Sequence, residues 1–175
     1  MLPVSCRTLA VALAGAALAA VAPAASAAAH PAERLVVRGT STILDGPCGP
    51  AGCPLQMSGG AFHGTTGAGT YSGDLTLAVA NAFSNGEGGL CAPIRGRVVL
   101  GSGSPNRLVL AVAGDSCQDG QGPVTQASFT GIARFAVKAG TGTYAGARGA
   151  GLAVFAEDAA DQDRMTLIGR IKTRH

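Results

Sequence analysis

The segment AGTGTYAGARGAG, residues 139–151, places five glycines in thirteen positions. Glycines at this density can cradle a phosphate, because backbone amides approach an anion closely where no Cβ intervenes. That chemistry needs a strand before the loop and a helix N-terminus after it, and here the glycines lead into the strand-like GLAVFA. The spacing G-x-G-x-x-x-G also departs from the dinucleotide fingerprint, and no Gly-Lys-Ser/Thr follows. The segment therefore reads as a strand-bending element. It has an echo, since TGAGTYSG at 66–73 matches AGTGTYAG at 139–146 with a constant offset of 73, which Phe62 and Phe135 keep as well. The echo predicts two similar bends.

Other residues with chemical capacity are few. EDAADQD, residues 157–163, gathers four carboxylates but lacks the spacing and central glycine of an EF-hand, so it reads as a solvated hairpin loop, with weak calcium binding as the alternative. His30 would form a copper brace only if cleavage freed it as the amino terminus, and the chain is short of further ligands; His63 and His175 read as surface residues. No Ser, His and acid set stands out, so no catalytic residue, metal site or cofactor is expected. CGPAGCPL, residues 48–55, has the composition of a structural staple and, alternatively, of an exposed recognition loop such as small inhibitors use.

These groups sit in a chain that opens with Arg7, an apolar run from Leu9 to Ala22, and a small-residue stretch in which Ala25 and Ala27 make an A-x-A site. This is the pattern of a signal peptide over residues 1–27, with cleavage after Ala29 as the second choice. The apolar run is about two-thirds of the ~20 residues that span a bilayer. The expectation is a secreted, soluble, extracellular protein, with no membrane insertion after cleavage and a single domain over 28–175. The remaining cysteines, Cys48, Cys53, Cys91 and Cys117, are even in number and predict two disulfides. A four-thiolate zinc site is disfavoured, because no second close pair follows Cys48 and Cys53. Thirteen basic and ten acidic residues are too balanced to argue for nucleic acid or an anionic membrane. Two tyrosines, five phenylalanines and no tryptophan leave little surface for stacking bases.

Helical periodicity is missing, whereas alternating apolar runs recur near 34–44, 55–64, 70–82, 93–101, 107–114, 125–138, 147–157 and 164–173. Eight such runs joined by Gly, Pro, Asn and Asp clusters predict an all-β fold, an eight-stranded antiparallel β-barrel stapled by disulfides. Gly103-Ser104-Pro105-Asn106 reads as a hairpin turn. A register in which paired residue numbers sum to 208 places Leu100, Val98 and Gly96 opposite Leu108, Leu110 and Val112, and brings Cys91 opposite Cys117. Parity then turns Leu75, Leu77, Val79, Phe129, Phe135, Val137, Met165, Leu167 and Ile171 inward, and Asp74, Arg134, Arg164, Arg170 and Lys172 outward. Arg148 shares parity with Leu152 and Val154, which would turn it inward, while Ala153 and Phe155 argue for the opposite face.

GTGTYAGARGAG resembles the Gly-Thr-Gly-x-Phe/Tyr-x-Gly-Ala-Arg-Gly signature of the dirigent and allene oxide cyclase barrel superfamily, as met in small exported bacterial proteins. The resemblance is strong over a dozen residues and extends further only through strand count and order. It implies an eight-stranded barrel with an internal cavity and, through the motif arginine, a cavity contact for Arg148; the acidic residues and the cyclase glutamate of that superfamily have no counterpart pattern here. Arg148, Tyr144 and Tyr71 are the candidate ligand contacts. The function this implies is non-catalytic binding of a small apolar or amphipathic molecule; the alternatives are a cyclase or isomerase, or a protein-binding module using the Cys48–Cys53 loop.

Overall fold

A computed structural model of the chain describes residues 31–120, 128–158 and 160–173. The expected signal peptide and its cleavage sites, His30, His175 and the start of the sixth run lie outside these residues. The chain forms β1 (Glu33–Asp45), β2 (Cys53–Gly64), β3 (Gly67–Leu77), β4 (Phe83–Ser84), β5 (Leu90–Leu100), β6 (Leu108–Asp119), β7 (Ser128–Gly140), β8 (Arg148–Glu157) and β9 (Gln162–Lys172). All pairings are antiparallel, β1 pairs with both β2 and β9, and β3 pairs with β5, so eight strands close on themselves while the two-residue β4 only pairs with the start of β5. Closure removes the free edges that an open sheet of this length would present.

The hairpin register follows the sum of 208 from Leu100↔Leu108 through Gly96↔Val112 to Cys91↔Cys117. Cys91–Cys117 and Cys48–Cys53 are both bonded, as an oxidising compartment permits. Register shifts in β1 between Thr40 and Thr42, in β2 between Met57 and Gly60, and in β6 between Val109 and Leu110 mark bulges, which bend strands enough to close a small barrel. The third run ends sooner than its apolar pattern suggests. β3 stops at Leu77, Val79–Asn81 make a short 3-10 turn, and Val79, expected inside, is 44% exposed, because the chain must leave the barrel wall before β5.

Alternation decides the interior. Leu35, Val37, Val98, Leu108, Leu110 and Leu167 are all fully buried and fill the barrel interior from its middle to its glycine end. Rings fit among them because glycines vacate the facing wall: a Cβ on Gly60 would stand 2.5 Å from Cε1 of Tyr71, and one on Gly151 2.6 Å from Cε1 of Phe135. Small and large positions thus interlock across strands, which is how an eight-stranded barrel can be filled by side chains.

Candidate functional site

The glycine-rich segment closes one end of the barrel. Gly140 ends β7, Gly142–Tyr144 make a 3-10 turn, and Gly142 and Gly146 adopt φ of 57° and 69°, which suits glycine. This turn interlocks with the β5–β6 hairpin. The Thr141 hydroxyl donates to the Pro105 carbonyl at 2.6 Å, the Thr143 amide donates to Asn106 Oδ1 at 3.1 Å, and the Tyr144 hydroxyl reaches the Thr66 carbonyl at 3.1 Å. The amides of Thr141, Thr143, Tyr144, Ala145 and Ala147 all donate within the protein, which leaves few of them to face an anion. Tyr144 lines a shallow cleft of about 490 Å³ with Phe62, Thr70 and Asn106.

The echo does not reproduce this arrangement. Residues 67–73 belong to β3, whereas 141–146 leave the barrel wall after β7 ends at Gly140, so the expectation of two similar bends fails. Tyr71 and Tyr144, equivalent in sequence, occupy different surroundings. Tyr71 is 1% exposed and points along the barrel interior, where its hydroxyl donates to Ser41 Oγ at 2.9 Å and lies 3.4 Å from Asp163 Oδ2. Ser41 Oγ donates to the same carboxylate oxygen at 3.3 Å. Burial raises the Tyr71 phenol above its ordinary value, so Tyr71 remains a donor.

Asp163 is the centre of this cluster and has no exposed surface. Burial pushes its carboxyl up to about 6, against the hydrogen bonds from Ser41 and Tyr71, which favour the charged form. Its second oxygen, Oδ1, is buried without a hydrogen-bond partner. Such an orphan is costly, since a buried polar atom is normally satisfied. Directly across the β8–β9 ladder stands Glu157, whose carboxyl burial pushes up to about 7, with the carboxylates of Asp45, Asp161, Asp163 and Asp158 adding to the rise. Glu157 also faces Phe129 on β7. Half-buried Leu55 and Leu77 lie at the same end, beside the two cystines.

The 157–163 segment is therefore not the solvated loop that its composition suggests. Its middle is a tight turn in which Asp158 Oδ1 accepts from the amides of Ala160 and Gln162, at 3.0 and 3.1 Å. Its ends, Glu157 and Asp163, turn into the barrel. The signal was present in the sequence, because Asp163 shares parity with Met165 and Leu167, and Glu157 with Ala153 and Phe155. The weight of four carboxylates in seven residues obscured it. Among the described residues, no group of three or more metal-ligating side chains stands together.

Arg148 goes the other way. Ala153 and Phe155 are buried, so the even-numbered residues of β8 face outward, and Arg148 is exposed at the edge of an outer cleft of about 570 Å³ shared with Lys138. It does not enter the interior. Of the candidate contacts, only Tyr71 lies inside, Tyr144 plugs the opposite end, and the three do not converge. The Cys48–Cys53 loop is compact, with Gly49 and Gly52 exchanging both backbone hydrogen bonds at 3.0 Å. No family model, no curated protein and no solved structure matches the chain.

Proposed function

We propose that the chain is a secreted, non-catalytic binding protein that takes a small amphipathic molecule at the cystine end of the barrel. The observation that carries this reading is the fully buried Asp163 carboxyl with Oδ1 unpartnered. A ligand hydroxyl or amine would supply the missing donor once the side chains that cover Asp163 part, while its apolar body would meet half-buried Leu55, Leu77 and Phe129 at the same end. The filled middle of the barrel limits the ligand to this end, so it is a short molecule rather than a long chain threaded along the axis. The superfamily resemblance of residues 140–151 supports an extracellular barrel of this kind, though through a motif that shapes the far end.

A second reading has one specific observation in its favour. A carboxyl near neutrality beside a buried phenol is the equipment of proton transfer, as an isomerase or cyclase would use it. Both readings place Asp163 at the contact and remove Arg148 from it.

The test is native mass spectrometry of the purified protein, followed by thermal shift with alkyl amines, alcohols and carboxylates of equal chain length. Amines and alcohols should stabilise the protein, carboxylates should not, and Asp163→Asn should weaken amine binding at least about tenfold, as loss of a charge-assisted hydrogen bond does. If carboxylates bind as well as amines, or Asp163→Asn leaves amine binding unchanged, the reading falls. Conversion of a bound compound, lost in Asp163→Asn, would favour the second reading.

A further inference from the structure

The balanced net charge of the chain conceals a one-sided distribution. On the outer faces of four adjacent strands, β7, β8, β9 and β1, stand Arg134, Lys138, Arg148, Arg164, Arg170, Lys172, Arg34 and Arg38, all exposed. The alternate positions that carry these cations hold no carboxylate; of the ten acidic residues, Glu33, Asp45 and Glu157 stand at the ends of these strands, Asp163 points inside the barrel, and the other six lie on other strands or in turns. None of the eight cations has an ion-pair partner among the described residues, where the recorded pair is Arg97 with Asp74 on β5 and β3.

Two features show that this face is not built for stability. Arg34 stands directly opposite Arg170, and Arg148 directly opposite Lys172, so like charges meet across the ladder without compensation. Such pairs destabilise a sheet. The cations also surround an apolar centre instead of a polar one. Ile168 is flanked by Val36 on one side and Leu152 on the other, and Val154 pairs with Ile132. Ile132, Leu152 and Ile168 are 59, 49 and 50% exposed. Contiguous exposed aliphatic side chains rimmed by charge mark an interaction surface.

Charge decides between occupants. A second copy seated on this face across a two-fold axis would set eight cations against eight, which repel. An acidic polymer would satisfy the cations and leave Ile132, Leu152 and Ile168 idle. An anionic lipid surface satisfies both, because phosphate headgroups meet the arginines while the aliphatic centre enters the interface between headgroups and acyl chains. The outer cleft of about 570 Å³ between Lys138 and Arg148 could admit one such headgroup at the edge of the face. We propose that the β7–β8–β9–β1 face docks peripherally on a membrane surface bearing anionic phospholipid. This inference stands apart from the ligand reading, since it uses no interior residue.

The experiment is cosedimentation of the purified protein with vesicles of phosphatidylcholine alone and with vesicles containing about one-third phosphatidylglycerol. Binding should be at least about tenfold tighter to the anionic vesicles and should weaken steeply as salt rises from about 0.05 to 0.5 M. Leu152→Ser with Ile168→Ser should loosen binding about tenfold at fixed charge, through the lost apolar area. Arg34→Gln with Arg170→Gln should loosen it comparably while raising the thermal midpoint, because it relieves a like-charge pair, so misfolding cannot explain the loss. Equal affinity for both vesicle types, or no binding to either, overturns the proposal. So does undiminished binding by the Leu152 and Ile168 double variant, together with equally tight binding to soluble dextran sulfate, which would assign the face to an acidic polymer. A dimer in sedimentation velocity that the same double variant dissociates would assign it to a second copy and overturn the proposal as well.

Discussion

The two ends of the barrel are closed by opposite means. At the glycine end, three loops lock together through neutral hydrogen bonds: Thr141 to Pro105, Thr143 to Asn106 and Tyr144 to Thr66. At the cystine end, two disulfides clamp the wall around Glu157 and Asp163, two carboxyls turned inward on facing strands. Burying carboxyls costs free energy, and a buried oxygen without a partner costs more. Covalent links offset that cost by restricting the unfolded chain. The contrast teaches that the end with the conspicuous motif is the self-satisfied one, while the end with unmet polar capacity looks in sequence like an ordinary acidic loop.

If the cystines make that difference, removing them should have the largest effect on the molecule. Cys91→Ala with Cys117→Ala opens a link of 26 residues and should cost about 3.5 kcal/mol on the chain-entropy account. Cys48→Ala with Cys53→Ala opens a link of only 5 residues and should cost about 2 kcal/mol. Urea unfolding at one pH measures both. A loss under about 1 kcal/mol for the longer link would mean that the barrel wall alone holds the carboxylate end together.

The second effect is one of pH. Asp163 and Glu157 have folded-state values near 6 and 7, above their unfolded values of 3.8 and 4.5. Between those limits the folded state binds more protons than the unfolded state, so stability is fully present below about pH 4 as far as these groups are concerned and is lost as pH rises through 6 to 7. For the fully buried Asp163 the loss should be about 2 to 3 kcal/mol at pH 8 relative to pH 4. Asp163→Asn should flatten much of this slope, because its amide cannot ionise. Denaturant midpoints measured from pH 4 to 8 check it, and a wild-type stability that rises with pH over this range would contradict the burial of both carboxyls. The glycine end contributes no such slope, since the loop contacts named there involve no carboxyl.

Much of the wall was legible before any coordinates. The sum of 208 placed Cys91 opposite Cys117 because a hairpin with a two-sided apolar pattern has only one register that buries a full face. Parity fails where the chain leaves the wall, as at Val79, whereas at Asp163 it holds and the clustered carboxylates of 157–163 outweigh it in the reading of that segment. Arg148 was ambiguous because both parities of β8 are apolar: Leu152 and Val154 alternate with Ala153 and Phe155. The outward set turned out to be a surface in its own right. What no sequence average could show is which side of a closed barrel each cation occupies, since that depends on which strands become neighbours when β3 meets β5.

The smallest effect sharpens the comparison most directly, because it uses two tyrosines that the sequence presents as equivalents. Tyr71→Phe removes a buried donor from Ser41 and Asp163 and should cost about 1.5 to 2 kcal/mol, within the range for a hydrogen bond to a charged group. Tyr144→Phe removes a half-buried donor from the Thr66 carbonyl, which water at the barrel end can replace, and should cost under about 1 kcal/mol. The two should also differ in kind. Loss of the Tyr71 hydroxyl withdraws a hydrogen bond that favours the charged form of Asp163, so the carboxyl should titrate still higher and the fall of stability, which starts near the unfolded value of 3.8, should extend to a higher pH and become larger. Tyr144→Phe should shift the whole stability curve down evenly, with its pH dependence unchanged. Equal losses with parallel pH profiles would mean that the 73-residue echo carries a shared role after all, and that the two ends of the barrel are less different than their closures imply.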